Sequence, residues 1–485
     1  VIALTASLFH RDEKFPVRYS ARTATWLWLV AGIAIVVATL WPPASAALPL
    51  FARQTGQNCQ ACHAGGQYPE LTPYGRLFKL TGYTIGDRTM VPLSAMAVVS
   101  DSKVYNTTGS TDPSADFQKN GNLIFATSSV FGGGKITDNI GAFVQVTYDN
   151  YANQSANGSF QGHSAADNMD FRYADRVIDA KSDLIWGVSL NDNPSVSDVW
   201  NTAAAWMQYV PVPSPTSSQF IDGTAPYPGL APGSNISGLT AYAFWNQLLY
   251  VEAGGYRTAQ GLTSFMSAGV PDAGKTKLEG TNPYWRIALS HAWGPNNIMV
   301  GTTGMVSRIY DDPLDTSDPN SVHHFRDIGF DSQYQYLLDP HSITGQVAYM
   351  REYHRVPGFL ANQPVQDVNG NPLPNTNASD VTKVLREKVS YIYGAKYGGS
   401  LSHFSLTGTT DTALYDPTPI TGNISGNPAS RGWTYEAFLI PVQNIRVGVQ
   451  YTTYNVFNGS SQNYDGSGRN ANNNDSLFFY IWGAY

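Results

Sequence analysis

The chain has 485 residues, of which 13% are aromatic and only 13% charged, with 45 Gly and 29 Tyr; an ordinary soluble domain carries about 25% charged residues. The formal charge of −7 is mild and excludes the basic footprint of a nucleic-acid binder. Few charges, abundant Tyr and no long apolar run after residue 41 favour a transmembrane β-barrel over a soluble enzyme.

Residues 1–46 read as an upstream extension followed by an export signal. Arg18 and Arg22 supply the positive region, Trp26 to Trp41 the apolar stretch, and Ala44-Ser45-Ala46 a cleavage site before Ala47. The apolar run is short for a helical span of about 20 residues, and Pro42-Pro43 closes it.

The next segment, 47–90, holds Cys59-Gln60-Ala61-Cys62-His63, with the only two cysteines of the chain. Two thiols three apart with His directly after them are the pattern of covalent c-type haem attachment. Each sulfur adds to one vinyl group, and the adjacent imidazole reaches the iron as proximal ligand. A redox-active or structural pair of cysteines is the bland alternative; it leaves His63 without a role. Downstream, Thr72-Pro73 predicts a helix start, with Thr as N-cap and Pro in the first turn, and Gly82 predicts its end. Tyr74, Leu77 and Phe78 share one apolar face. Phe51, Tyr74, Phe78 and Tyr83 are candidates to pack on the macrocycle or on one another, and Arg53 and Arg76 to pair with its propionates. Met96 and Met90 are the candidates for the distal iron ligand, against the alternative that both serve only in packing. In 93–100 the alternation sets Met96 with Ser94 and Ser100, opposite Leu93, Ala95, Ala97 and Val99. A Met on a lumen face is unusual, and Met96 is therefore preferred to Met90.

From 91 to 485 the sequence is a series of alternating segments. Ile445, Val447, Val449 and Tyr451 oppose Arg446, Gly448, Gln450 and Thr452. Ile140 to Asp149 repeats this with Phe143 as the one large apolar residue on its polar face, and Val389, Tyr391, Tyr393, Ala395 and Tyr397 read as another such face. Short turns are expected at 138–139, 179–180, 246–247, 295–296, 339–340, 399–400 and 442–443. Long polar loops are expected at 107–120, 152–167, 192–237, 259–282, 311–321, 356–381, 414–430 and 458–473. Seven turns and eight loops imply sixteen strands: an all-β, antiparallel, outer-membrane barrel with a small α-helical cytochrome c domain at its N-terminus. The segment 192–237 is assigned to a loop or an inward-folded constriction. His323-His324 point to opposite faces of a strand and so do not share a ligand set. Asp311, Asp312 and Asp315 read as a solvated loop.

Phe51-Ala52-Arg53-Gln54-Thr55-Gly56 before the haem motif, and Leu71-Thr72-Pro73-Tyr74-Gly75-Arg76, Phe78-Lys79 and Gly82-Tyr83 after it, resemble the fused monohaem cytochrome–porins of iron-oxidising bacteria. The similarity points to their acidophile outer-membrane branch. The haem segment is the specific part of it; the barrel part is generic. The resemblance implies an Fe(II) oxidase in the Gram-negative outer membrane, an oxidoreductase of the iron:cytochrome c reductase type. It would take electrons from extracellular Fe(II) and pass them to a periplasmic copper protein or c-type cytochromes. The resemblance implies one covalent haem c on Cys59, Cys62 and His63; the distal ligand does not carry over.

The parts alone argue in the same direction. A porin needs no haem and a periplasmic cytochrome needs no barrel, so their fusion implies a redox task across the membrane. The rivals are an electron conduit for another donor or acceptor, and a solute porin whose haem is structural or sensory. A plugged lumen favours the oxidase over the porin.

Overall fold

The computed structural model describes residues 49–66, 70–106, 120–154, 160–202, 235–267, 276–318, 321–356, 377–412, 414–415 and 422–485. The expected export signal lies outside the described residues. Among these residues, sixteen strands form one closed antiparallel barrel in which every strand pairs with its sequence neighbours and β1 closes on β16.

β1 (Leu93–Val104), β2 (Leu123–Lys135), β3 (Ile140–Gln154) and β4 (Phe160–Ile178) begin the wall. β5 (Asp183–Asn191), β6 (Ile236–Trp245), β7 (Leu249–Thr258) and β8 (Asn282–Trp293) continue it. β9 (Asn296–Tyr310), β10 (Val322–Leu338), β11 (His341–Arg355) and β12 (Asp380–Tyr393) follow. β13 (Tyr397–Gly408), β14 (Ser430–Val442), β15 (Ile445–Val456) and β16 (Ser476–Ala484) complete the circle.

The side-chain period of two decides what each face meets. On β15, Arg446, Gly448, Gln450 and Thr452 are buried inward while Val449 and Tyr451 are exposed outward. On β16, Phe478, Tyr480, Trp482 and Ala484 turn inward and Leu477 outward. The outer surface carries exposed Leu239, Val251, Leu289, Val300, Phe330, Val347 and Leu401. Aromatic residues cluster near the short turns, with Trp245, Trp293, Tyr393, Tyr397 and Tyr485 all exposed. An outward apolar band with an aromatic girdle is the surface a bilayer solvates.

Two expected boundaries move. The turn placed at 399–400 lies instead at Gly394–Lys396, where Gly394 and Ala395 take φ of 58° and 52°. Two consecutive positive φ values make the tight hairpin turn whose twist matches the strands; Ala395 therefore belongs to the turn, and Tyr393 pairs across it with Tyr397. The loop expected over 152–167 is shorter, because β3 runs to Gln154 and β4 starts at Phe160. The pairing of Thr147, Tyr148 and Asp149 with Ala165, Ser164 and His163 turns polar sequence into strand.

Among the described residues, three short α-helices precede the barrel: α1 (Pro49–Thr55), α2 (Cys59–Cys62) and α3 (Pro73–Leu80). The Thr72 side chain caps α3 by accepting from Gly75 N at 3.1 Å. At the other end Gly82, with φ 72°, donates to Lys79 O, and Tyr83 N donates to Phe78 O at 3.0 Å. This is the Schellman pattern, completed by the Phe78–Tyr83 ring contact at 5.8 Å. The helix falls where the sequence predicts, but its buried side includes Arg76 and Lys79 as well as Phe78 and Leu80. The reason is its neighbours: Arg76 meets polar side chains of the inner wall, while Leu80, with Leu77 beside it, packs into an apolar cluster with Ile185, Trp200, Tyr242 and Tyr250.

Candidate functional site

The three helices and their connections form a plug inside the end of the barrel that carries the short turns. Gln54 Nε2 donates to Tyr83 O and Ile85 O at 2.7 and 2.9 Å, and its Oε1 accepts from Lys135 N at the β2 end. Arg76 is fully enclosed and donates to Leu71 O, Asn297 Oδ1, Gln333 Oε1 and Gln335 Oε1. Tyr83 Oη donates to Asp170 at 2.6 Å, Tyr242 Oη to Leu80 O at 2.7 Å, and Lys388 Nζ to Glu70 at 2.6 Å. The plug thus touches β2, β4, β6, β9, β10 and β12 through named bonds.

These contacts correct part of the sequence analysis. Arg53 donates to Val91 O and Leu93 O, and Arg76 is consumed by the wall, so both arginines anchor the plug. Phe51, Phe78 and Tyr83 pack on one another at 4.9 to 5.8 Å and on Phe143, whose ring lies 6.3 Å from Phe51. Phe143, the odd apolar residue on a polar face, is the wall's half of that contact. Tyr74 stays half-buried beside Cys62, which together with burial raises its phenol.

Cys59 and Cys62 occupy the first and last positions of α2, both half-exposed. One helical turn brings residues three apart onto one side. Asn58 caps the turn by accepting from Ala61 N at 3.2 Å, and His63 N donates to Cys59 O at 2.8 Å. His63 then leaves the helix in extended conformation (φ −118°, ψ 130°) and bridges to Leu71. Thr72 ties α3 onto this turn, its N–H reaching Cys62 O at 2.9 Å and its hydroxyl Ala61 O. Gly75 is required where α3 crosses: a Cβ there would stand 2.1 Å from Cys62 O.

Burial, and then the neighbouring Cys59, push the Cys62 thiol up to about 11, the opposite of the lowered value a redox-active cysteine needs. Burial lowers His63 to about 4 against the pull of Glu70, which keeps the imidazole neutral, the form that ligates metal. Its Nδ1 is enclosed without a hydrogen-bond partner. Two thiols on one side of a turn and a neutral imidazole fit a covalent haem, with Cys59, Cys62 and His63 as the residues that would hold it.

Met96 lies on the inner face of β1 between Ser94 and Val98, and its sulfur accepts from Trp482 Nε1 at 3.3 Å. Met90 is 97% exposed. Of the two methionines, only Met96 faces the compartment that contains the plug.

Above the plug, the chain after β5 folds inward, as expected for the start of 192–237. The short helix α4 (Pro194–Ser197) and residues to Thr202 are buried in the lumen; 203–234 lie outside the described residues. Asp198 pairs with Arg286 at 3.1 Å, Arg286 pairs with Asp331 at 2.7 Å, and Thr202 Oγ1 donates to Asp331. Lys79 Nζ donates to Asp198 O at 3.0 Å, joining plug and inner loop. Burial and the nearby Arg172 lower Lys79 to about 8, and burial raises Asp192 to about 8.

Other histidines and acids resolve into local roles. His323 points inward and meets Asp311 Oδ1 at 2.9 Å; His324 alternates away from it. Asp312 and Asp315 accept from Leu314 N and Ser317 N at 2.8 and 2.9 Å, closing their own turns.

No family model matches the chain, and no curated protein does. Among solved structures the chain is similar to OmpF of Salmonella typhi in complex with daunomycin, at 13% identity and TM-score 0.43, over 81% of this chain and 97% of that one. It is also similar to the outer membrane channel DcaP of Acinetobacter baumannii, at 10% identity and TM-score 0.42, over 81% and 96%. OmpT of Vibrio cholerae matches at 9% identity and TM-score 0.40, over 81% and 97%.

Proposed function

We propose that this protein is an outer-membrane c-type cytochrome that oxidises Fe(II) arriving from outside and hands the electron to a periplasmic one-electron carrier, a copper protein or a c-type cytochrome. The observation that carries the reading is the placement of Cys59, Cys62 and His63 inside a barrel, on a plug that stops its short-turn end. A solute channel gains nothing from such a stopper.

The reaction is Fe²⁺ → Fe³⁺ + e⁻, one electron per ion. Haem, when bound, supplies the one-electron acceptor and donor. The chain's own residues do the rest. Cys59 and Cys62 would fix the group to a single helical turn, and neutral His63 would help hold it. Gly75 and Thr72 hold α3 against that turn. Arg76, Tyr83, Gln54 and Lys388 tie the plug to the wall, which would keep ferric product on the outer side. Met96 would be a further residue holding the group, and a thioether would raise its potential relative to a second imidazole.

The test is a stopped-flow spectrum of the purified oxidised protein mixed with Fe²⁺ at acid pH. Rapid, stoichiometric reduction supports the oxidase. A haem that dithionite reduces and Fe²⁺ does not would overturn it in favour of another donor, and a protein without haem stain in which the Cys59→Ser/Cys62→Ser variant behaves identically would overturn the cytochrome.

A further inference from the structure

On the inner face of β10–β12, toward the long-loop end and four residues along β10 from Asp331, lies a second polar cluster. Asp327 faces Glu352 across the β10–β11 ladder, and His354 faces Asp380 across the β11–β12 ladder. Asp411, at the end of β13, completes the group. Asp327, Glu352, His354, Asp380 and Asp411 are 4%, 6%, 0%, 1% and 4% exposed. The carboxyl groups of Asp327 and Glu352 are within hydrogen-bonding reach of each other, as are those of Asp380 and Asp411.

The cluster lacks its complement. Asp327 Oδ1, Asp380 Oδ2, Tyr415 Oη and both ring nitrogens of His354 are buried with no hydrogen-bond partner. His354 Nδ1 stands 3.4 Å from Glu352 Oε1, and its ring stacks on Phe325. Among the described residues no Lys or Arg pairs with Asp327, Glu352 or Asp380. Buried acids at this spacing cannot all ionise unless a positive charge joins them. Shared protons would satisfy the carboxyl pairs alone; they would leave the imidazole with nothing to bind. Carboxylate oxygens beside a neutral imidazole are the donor set of a first-row divalent cation.

We infer that this cluster is a divalent-cation site in the barrel lumen, built by Asp327, Glu352, His354, Asp380 and Asp411. No three His, Cys, Asp or Glu side chains among the described residues converge as direct ligands, so the ion keeps several waters and takes one or two carboxylates at a time, as hard octahedral cations do. Such loose binding suits an ion in transit. As a cation site the assignment stands on these residues alone; as the resting place of ferrous substrate on its way to the plug it rests on the reading above.

The test uses Mn²⁺, a redox-inert probe here, titrated by electron paramagnetic resonance into the full, haem-loaded protein in detergent at neutral pH. The expected result is one bound Mn²⁺ per chain, weakened at least tenfold in Glu352→Gln/Asp380→Asn and weakened again as acid protonates the carboxyls. His354→Ala is the second variant, and heat-modifiable gel mobility checks that each barrel is folded. No Mn²⁺ bound by the unsubstituted protein, or equal binding in the folded variants, overturns the site. Mn²⁺ binding without Fe²⁺ oxidation keeps the site and removes the oxidase; Fe²⁺ oxidation without Mn²⁺ binding does the reverse.

Discussion

Asp170 is the point at which the plug is most exposed to a single change. Its carboxylate, 0% exposed, accepts from Tyr83 Oη at 2.6 Å, Arg172 Nε at 2.7 Å and Ser189 Oγ at 2.7 Å. Asp170→Ala leaves the Arg172 guanidinium enclosed without a carboxylate, holding Ser197 O and lying beside the Tyr83 and Tyr242 rings. Removing one partner of a buried ion pair costs about 3–5 kcal/mol. Tyr83→Phe removes only the plug's own bond to a charged acceptor, about 1.5–3 kcal/mol. At about 1.4 kcal/mol per factor of ten, the occupancy of the unseated plug should rise roughly ten- to a hundredfold in Tyr83→Phe and further in Asp170→Ala. The assay is conductance across a planar bilayer together with tryptic cleavage at Arg76 and Lys79, both buried while the plug is seated. The expected order of leak and cleavage is wild type, then Tyr83→Phe, then Asp170→Ala. If Asp170→Ala is as tight and as resistant as wild type, the plug is not seated by this contact.

Gly75→Ala should lower haem loading, because its Cβ would stand 2.1 Å from Cys62 O and overpacking of this kind costs about 1–3 kcal/mol; haem stain compared with barrel content reads it. Met96→Ala should lower the reduction potential and change the ferric spectrum, whereas an unchanged spectrum points to another distal ligand. The inner loop should be most firmly held in acid. Burial lifts Asp192 from 3.8 to about 8, so the folded state binds the proton more tightly; that stabilisation is complete below about pH 4 and is lost as pH rises through 8. Protease resistance of the 192–202 segment measured against pH should show this decline, and Asp192→Asn should flatten it.

Much of this architecture is legible in the sequence because strands of a barrel carry a period of two and its turns carry Asn, Asp, Gly and Pro. Thr72-Pro73 and Gly82 fix α3 for the same local reasons. Where local signals compete, legibility fails. Ala395 continues the alternation of Val389, Tyr391 and Tyr393, so Gly399-Ser400 reads as the turn, and only ladder pairing moves it to Gly394–Lys396. Arg53 and Arg76 read as partners for propionates, because a sequence does not show that Leu93 O, Asn297, Gln333 and Gln335 await them more than thirty residues away. Phe143 was visible as an anomaly, and its partner Phe51 was not. His354 gave no signal at all: its neighbours in space, Glu352 excepted, come from other strands.

The plug ends at Asp87, whose N–H donates to Gln54 O at 2.9 Å, and β1 starts at Leu93. The short segment between them, 88–92, extends at most about 18 Å. A stopper on so short a leash has no bulk phase to escape into. Unseated, it remains at a local concentration near the millimolar range of short tethers, so leakage through a weakened mutant should flicker, and each opening should reverse itself without a second molecule.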